Sequence, residues 1–207
     1  MTRASGPSPG TAPELAGLVP RLLIIIASTR PGRIGLPVAT WFTDRAHEHA
    51  GFEIELVDLA ELTLPLLDEP KHPRLREYTK EHTHAWSEIV DAADAIVMVT
   101  AEYNYGYPPA LKNAIDYLHH EWRYKPVGFV SYGGVAAGTR AVQQLKQVVT
   151  ALSMMPTGPS VNIPFVAQFL DADGVIQGND VMTGAAADML DELIRLEGAL
   201  RPLRTAE

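Results

Sequence analysis

Leu22-Leu-Ile-Ile-Ile-Ala27 is a run of six apolar residues with no polar interruption. A strand with one wet face alternates polar and apolar side chains, so a short unbroken run marks a strand buried on both faces. Ala95-Ile-Val-Met-Val-Thr100 and the segment 127–131 repeat that signature. Such strands need helices over both faces of their sheet, and parallel pairing supplies them through strand-helix-strand crossovers.

The intervening segments fit that demand. Val38, Ala39, Phe42 and Ala46 fall at helical spacing across 36–50, with Pro37 suited to a first turn and Gly51 to a stop. Trp86, Ile89, Val90 and Ala93 mark a second helix. Pro108-Pro109 opens a third, with Leu111, Ala114, Ile115 and Leu118 inward. Across 139–152, Ala141, Val142, Leu145, Val148, Val149 and Leu152 give the clearest 3.6-residue period. A last helix is expected from about Gly184 to Leu200. Residues 52–58 read as a strand and 160–167 as a weak fifth, with an irregular proline-bearing stretch at 59–77. The expected fold is α/β, a doubly wound five-stranded parallel sheet with helices on both faces.

Composition narrows function more than fold. The chain has no cysteine, which excludes disulfides, thiolate metal centres and a cysteine nucleophile. Its net charge of −8 argues against a nucleic-acid partner, which needs an electropositive footprint. The longest apolar run falls far short of the ~20 residues of a bilayer helix, so no membrane partner is expected. Glycine and proline crowd residues 1–20, which lack the basic start and apolar stretch of a secretory signal. They are expected to form a disordered tail before one domain at 21–207, resident in the cytoplasm.

Ligands of open parallel sheets bind beyond the carboxyl ends of the strands, where loops and helix N-termini gather. The loop after the first strand, Ser28-Thr-Arg-Pro-Gly-Arg-Ile-Gly35, carries two hydroxyls, two arginines and two glycines. Hydroxyls and amides at a helix start can wrap an anionic oxygen cluster, and Arg30 or Arg33 could neutralise it. An ordinary turn with solvated arginines reads equally well there. Neither G-x-G-x-x-G nor G-x-x-x-x-G-K-[ST] occurs. The nearest approach, Gly133-Gly-Val-Ala-Ala-Gly138, puts Thr139 in the lysine position and Arg140 in the hydroxyl position.

The third strand runs into Ala101-Glu-Tyr-Asn-Tyr-Gly-Tyr-Pro-Pro109. Tyrosines offer flat apolar faces with polar tips, and Asn104 can both donate and accept, as a planar heterocycle with carbonyl and imino edges requires. The bland alternative is an aromatic surface turn or subunit contact. The fourth strand ends in Ser131-Tyr-Gly-Gly134, whose paired glycines permit close backbone approach.

With these three loops the sequence resembles the NADPH-dependent FMN reductase family of flavodoxin-like proteins, which includes quinone, azo-dye and chromate reductases. The likeness rests on Ser28-Thr-Arg-Pro-Gly-Arg33, on Glu102-Tyr-Asn-Tyr105 with the following Pro-Ala-Leu-Lys-Asn-Ala-Ile-Asp116, and on Ser131-Tyr-Gly-Gly134. It spans roughly residues 21–165 and implies strand order 2-1-3-4-5. It also implies FMN as cofactor, with phosphate at Ser28, Arg30, Arg33, Ile34 and Gly35. The isoalloxazine ring would lie at Glu102, Tyr103, Asn104 and Tyr105, beside Ser131, Tyr132 and Gly133. NADPH or NADH would supply hydride, with a quinone, flavin or similar small molecule as acceptor and no side-chain acid or base named for the step. A homodimer or homotetramer is implied as well. An electron-transfer flavoprotein without efficient NAD(P)H turnover would share the fold.

Overall fold

The structure is a computed structural model and describes residues 19–204. The tail expected at 1–20 lies outside them except for its last two residues. Pro20 already belongs to the sheet margin, its carbonyl accepting from the Glu53 N–H at 2.9 Å.

Six parallel strands form one sheet. They are β1 (Arg21–Ile26), β2 (Glu53–Asp58), β3 (Ala95–Ala101), β4 (Pro126–Tyr132), β5 (Met155–Pro156) and β6 (Val161–Ile163). The order is β2-β1-β3-β4-β5, with β6 also on β4. The strand expected at 160–167 is β6 alone, and β5, which the sequence reading lacked, precedes it in the same lane. β5 pairs with Pro126 and Val127 at the start of β4, and β6 with Val130 to Tyr132 at its end. Gly158-Pro159 explains the break: proline donates nothing to a ladder, and the Thr157 hydroxyl donates instead to the Pro159 carbonyl at 2.8 Å.

The helices are α1 (Gly35–His49), α2 (Leu59–Leu62), α3 (Glu81–Ala92), α4 (Pro109–Asp116), α5 (Thr139–Ala151) and α6 (Asp180–Arg204). Strand parity sorts the core into two. Leu22, Ile24, Ile26, Val97, Val99 and Val130 face α1 and α6, where Phe42, Met189, Leu190 and Leu193 cover them. Leu23, Ile25, Ile96, Met98, Val127 and Phe129 face α3, α4 and α5, against Trp86, Leu111, Ile115 and Leu145. Both faces of β1 and β3 are dry, which is why their sequences carry no alternation. The buried indoles meet edge to face, Trp86 and Trp122 centred 6.0 Å apart, and each N–H donates to a carbonyl of the α4 segment.

Two boundaries differ from the sequence reading. α6 begins at Asp180, four residues before Gly184, because the Asn179 side chain accepts from the Met182 N–H at 2.9 Å and so ties the first turn. Leu118 lies beyond the end of α4 yet is buried with it.

Candidate functional site

The loop from β1 to α1 ends on an open helix. Ile34 sits in the N-cap position and offers no side-chain acceptor, so the first amides of α1 are uncapped. The amides of Thr29, Arg30, Gly32, Ile34 and Gly35 meet no protein acceptor among the described residues. Gly32 has φ +68°, a left-handed conformation that glycine adopts without penalty. A concave row of N–H groups at the positive end of a helix dipole attracts an anion.

Hydroxyls line its floor. Ser28 is buried, and its Oγ lies 2.5 Å from the Tyr103 Oη. The Tyr132 hydroxyl lies beside them, buried and near Ser28 but without a well-formed hydrogen bond among the described residues. A Cβ on Gly35 would stand 2.7 Å from that hydroxyl, so only glycine leaves the phenol room. Burial first, and then the neighbouring Tyr103 phenol, push Tyr132 ionisation well above the usual tyrosine range, which keeps it a neutral donor.

The arginines separate. Arg30 is exposed. Arg33 is turned to Asp58 at the end of β2 and ion-paired with it, while its Nε is buried without a partner. Asp58 also accepts from the Ala60 N–H at 2.9 Å, which caps α2. The positive charge of Arg33 is therefore already balanced where it stands.

After β3 the chain makes a tight two-residue turn. Tyr103 and Gly106 exchange backbone hydrogen bonds of 2.8 and 2.9 Å, with Asn104 at φ +50° and Tyr105 at φ +72° between them. Both central residues in the left-handed region match a type I′ turn. Asparagine tolerates this, whereas tyrosine is strained there, a cost of order 1 kcal/mol that must be met by surrounding contacts. Those contacts come from α5. Arg140 pairs with Glu102 and lies 3.8 Å over the Tyr105 ring, while Gln144 donates to the Tyr105 carbonyl at 3.1 Å. Tyr105 keeps 62% of its surface exposed.

The loop after β4 completes the rim. The Ser131 hydroxyl is fully buried, bonded inward to the Ala137 carbonyl at 2.7 Å and lying 3.0 Å from the Asn162 side chain. The Gly133 N–H is taken by the Ile163 carbonyl at 3.2 Å. Gly138 has φ +78°, and a Cβ there would meet Ser131 and the Tyr132 backbone at 3.0 Å. A cavity of about 450 Å³ opens between the turn and this loop, lined by Glu102, Asn104, Tyr105, Gly133, Gly134 and Arg140 among others. Another of about 380 Å³ runs from Thr29 along α2 to Pro109 and Asn113.

The structure thus gathers the three loops at one end of the sheet and divides the residues singled out in the sequence by role. Ser28, Ile34 and Gly35 surround the anion-attracting row. Asn104 and Tyr105 stand at the cavity mouth beside Glu102 and Gly133. Ser131 turns inward. Tyr132 lies beneath the first loop, next to Ser28 and to Tyr103 at the start of the turn. Arg140 was not anticipated as part of the site, because its partner Glu102 is 38 residues away.

A family model described as NADPH-dependent FMN reductase matches residues 20–176. An NAD(P)H-dependent FMN reductase of Schizosaccharomyces pombe is 41% identical over 173 residues, covering 81% of this chain and 82% of the relative. One from Saccharomyces cerevisiae is 40% identical over 154 residues, covering 68% and 80%. Among solved structures, the flavoenzyme NAD(P)H:(acceptor) oxidoreductase FerB of Paracoccus denitrificans superimposes with a TM-score of 0.70 at 21% identity. It covers 86% of this chain and 98% of its own, a likeness of fold.

Proposed function

The chain belongs to the NADPH-dependent FMN reductase family, with FMN and NAD(P)H as its cofactors, and on that premise we propose that it passes electrons from NAD(P)H to a small planar acceptor, a quinone or a free flavin. The observation that carries this reading is the β1 loop, with its uncapped helix start, its row of free amides and its buried hydroxyls. That donor set suits the terminal phosphate of a mononucleotide and has no use in a closed apolar turn.

The residues present fit FMN. Ser28 and the free amides of Thr29, Arg30, Gly32, Ile34 and Gly35 would hold its phosphate, and the Asn104–Tyr105 turn with Gly133 and Gly134 would border its ring. When bound, FMN supplies two-electron redox chemistry, with hydride drawn from NAD(P)H. The protein orients. Glu102, Arg140 and Gln144 fix the turn, so that Asn104 presents one set of donors and acceptors. The free amides of Gly134, Val135 and Ala136 offer fixed dipoles where negative charge would grow. The carboxylate that lines the cavity, Glu102, is tied to Arg140 and so is not free to move a proton, which suits direct hydride transfer. The exposed rim at Tyr105 and Val135 leaves one face accessible, and an open face admits acceptors of many shapes.

The exposed Leu66, on the rim of the cavity of about 380 Å³, with exposed Leu67 next in sequence and Leu75, supports assembly into a homodimer or homotetramer. Dependence on NAD(P)H suits residence in the cytoplasm, and no helix among the described residues is long and apolar enough to cross a membrane.

The test is steady-state kinetics on FMN-loaded protein with a panel of quinone, flavin, azo and metal-oxyanion acceptors and both nicotinamides. Rapid bleaching by NADPH followed by reoxidation with a quinone or flavin is expected. Absent or slow bleaching would instead favour an electron carrier.

A further inference from the structure

Tyr132 closes β4 on the α1 side of the sheet, and its hydroxyl is the polar group left unmatched beneath the β1 loop. The residue is 5% exposed. Its oxygen is buried without a well-formed hydrogen bond, sits 2.7 Å from where a Gly35 Cβ would stand, and has the Ser28 hydroxyl as the neighbour within its reach. Leaving a hydroxyl poorly paired in the interior is unfavourable, so a phenylalanine there would give a more stable fold by itself. The Ser28–Tyr103 pair shows the complementary feature. Ser28 Oγ and Tyr103 Oη are already joined, and each hydroxyl has one proton to give.

We infer that Tyr132 is a positioning residue for the phosphate end of the cofactor, acting through Ser28 as the third member of a hydroxyl triad with Tyr103. This rests on the FMN reading above. With an anion on the loop, Ser28 turns its proton toward the anion and its oxygen becomes an acceptor. Tyr103 and Tyr132 can then both donate to Ser28 Oγ, which takes two hydrogen bonds. Every hydroxyl in the triad is then satisfied, and a chain of aligned O–H groups polarises toward the negative charge. Without the anion the three hydroxyls share three protons over two links, so one proton has no acceptor. Gly35 belongs to the same device, since any side chain there would enter the space of the Tyr132 hydroxyl. The orphan donor beneath the loop is thus a stability cost held in reserve for an anionic ligand.

The experiment compares FMN with riboflavin, which has the same ring and no phosphate. Apo-protein and its Tyr132→Phe variant are titrated with each by flavin fluorescence, and the melting temperature of both apo-proteins is recorded. The expected result has opposite signs: the variant loses roughly tenfold in FMN affinity, keeps its riboflavin affinity, and melts about 2–4 °C higher without ligand. Unchanged FMN affinity, or equal losses for FMN and riboflavin, would overturn the role at the phosphate. Failure of the unsubstituted protein to bind either flavin would instead overturn the functional reading on which this rests.

Discussion

Glu102 and Arg140 join the loop after β3 to the first turn of α5 twice over. The guanidinium pairs with one carboxylate oxygen, and the Arg140 N–H donates to the other at 3.2 Å. The carboxylate side chain is 7% exposed and the guanidinium 42%. The guanidinium's own hydrogen bond to Glu102 raises the Arg140 pKa, and the cation covers the ring of Tyr105.

Arg140→Met keeps much of the side-chain bulk but leaves the Glu102 carboxylate without its cation. The expected cost is small, because the arginine is largely in solvent. The urea midpoint should fall with the slope unchanged. The turn should loosen, raising KM for the acceptor more than it lowers kcat. A variant with wild-type midpoint and KM would contradict the tie.

Ser28→Asp places a carboxylate at the floor of the anion loop. FMN uptake should be abolished, while far-ultraviolet circular dichroism shows the fold intact. Retention of FMN at wild-type affinity would remove Ser28 from the phosphate site.

Gly178→Ala tests packing against the outer side of α1 rather than the loop residues themselves. A Cβ there would meet the Trp41 indole nitrogen at 2.3 Å, and Trp41 is buried. Overpacking against a rigid ring costs about 1–3 kcal/mol. The melting temperature should drop by several degrees. The ratio of FMN to riboflavin affinity should stay unchanged.

Lys125 gives a pH prediction at the opposite end of the sheet. It is buried, and its Nζ donates to the Val90 and Asp91 carbonyls at 2.6 and 3.0 Å. Burial lowers its pKa from 10.5 to about 8. A depressed lysine pKa means that the unfolded chain holds the proton more tightly. Between about pH 8 and 10.5 the unfolded state therefore binds more protons, and Lys125 adds stability as pH rises. The amplitude is on the order of 3 kcal/mol. Lys125→Met should lack this rise, seen as the difference between the two chains in unfolding free energy from pH 7 to 10.5. A difference that stays flat would contradict it.

The central sheet was legible because Leu22–Ala27 and Ala95–Thr100 are buried on both faces, and such burial leaves a continuous apolar trace in one dimension. α5 was legible because its apolar period is unbroken. The divided edge lane was not, since β5 and β6 are two and three residues long, too short for periodicity to register. The start of α3 was hidden by His82, Thr83 and His84, which interrupt the apolar spacing. In the site, local loop chemistry was readable and long-range pairing was not. Nothing in the sequence ties Glu102 to Arg140 or turns Arg33 to Asp58. Tyr132 could have been placed by parity: it shares a face of β4 with Val130, the face that α1 covers, and so lies under the first loop.

The account stands on the terminal phosphate of FMN resting in the β1 loop. A crystal structure of the protein with FMN tests this directly. The phosphate oxygens should lie within hydrogen-bond distance of Ser28 Oγ and the amides between Thr29 and Gly35, with the ring at the Asn104–Tyr105 turn. A phosphate seated elsewhere, or a loop whose amides have closed on the protein's own carbonyls, would contradict it.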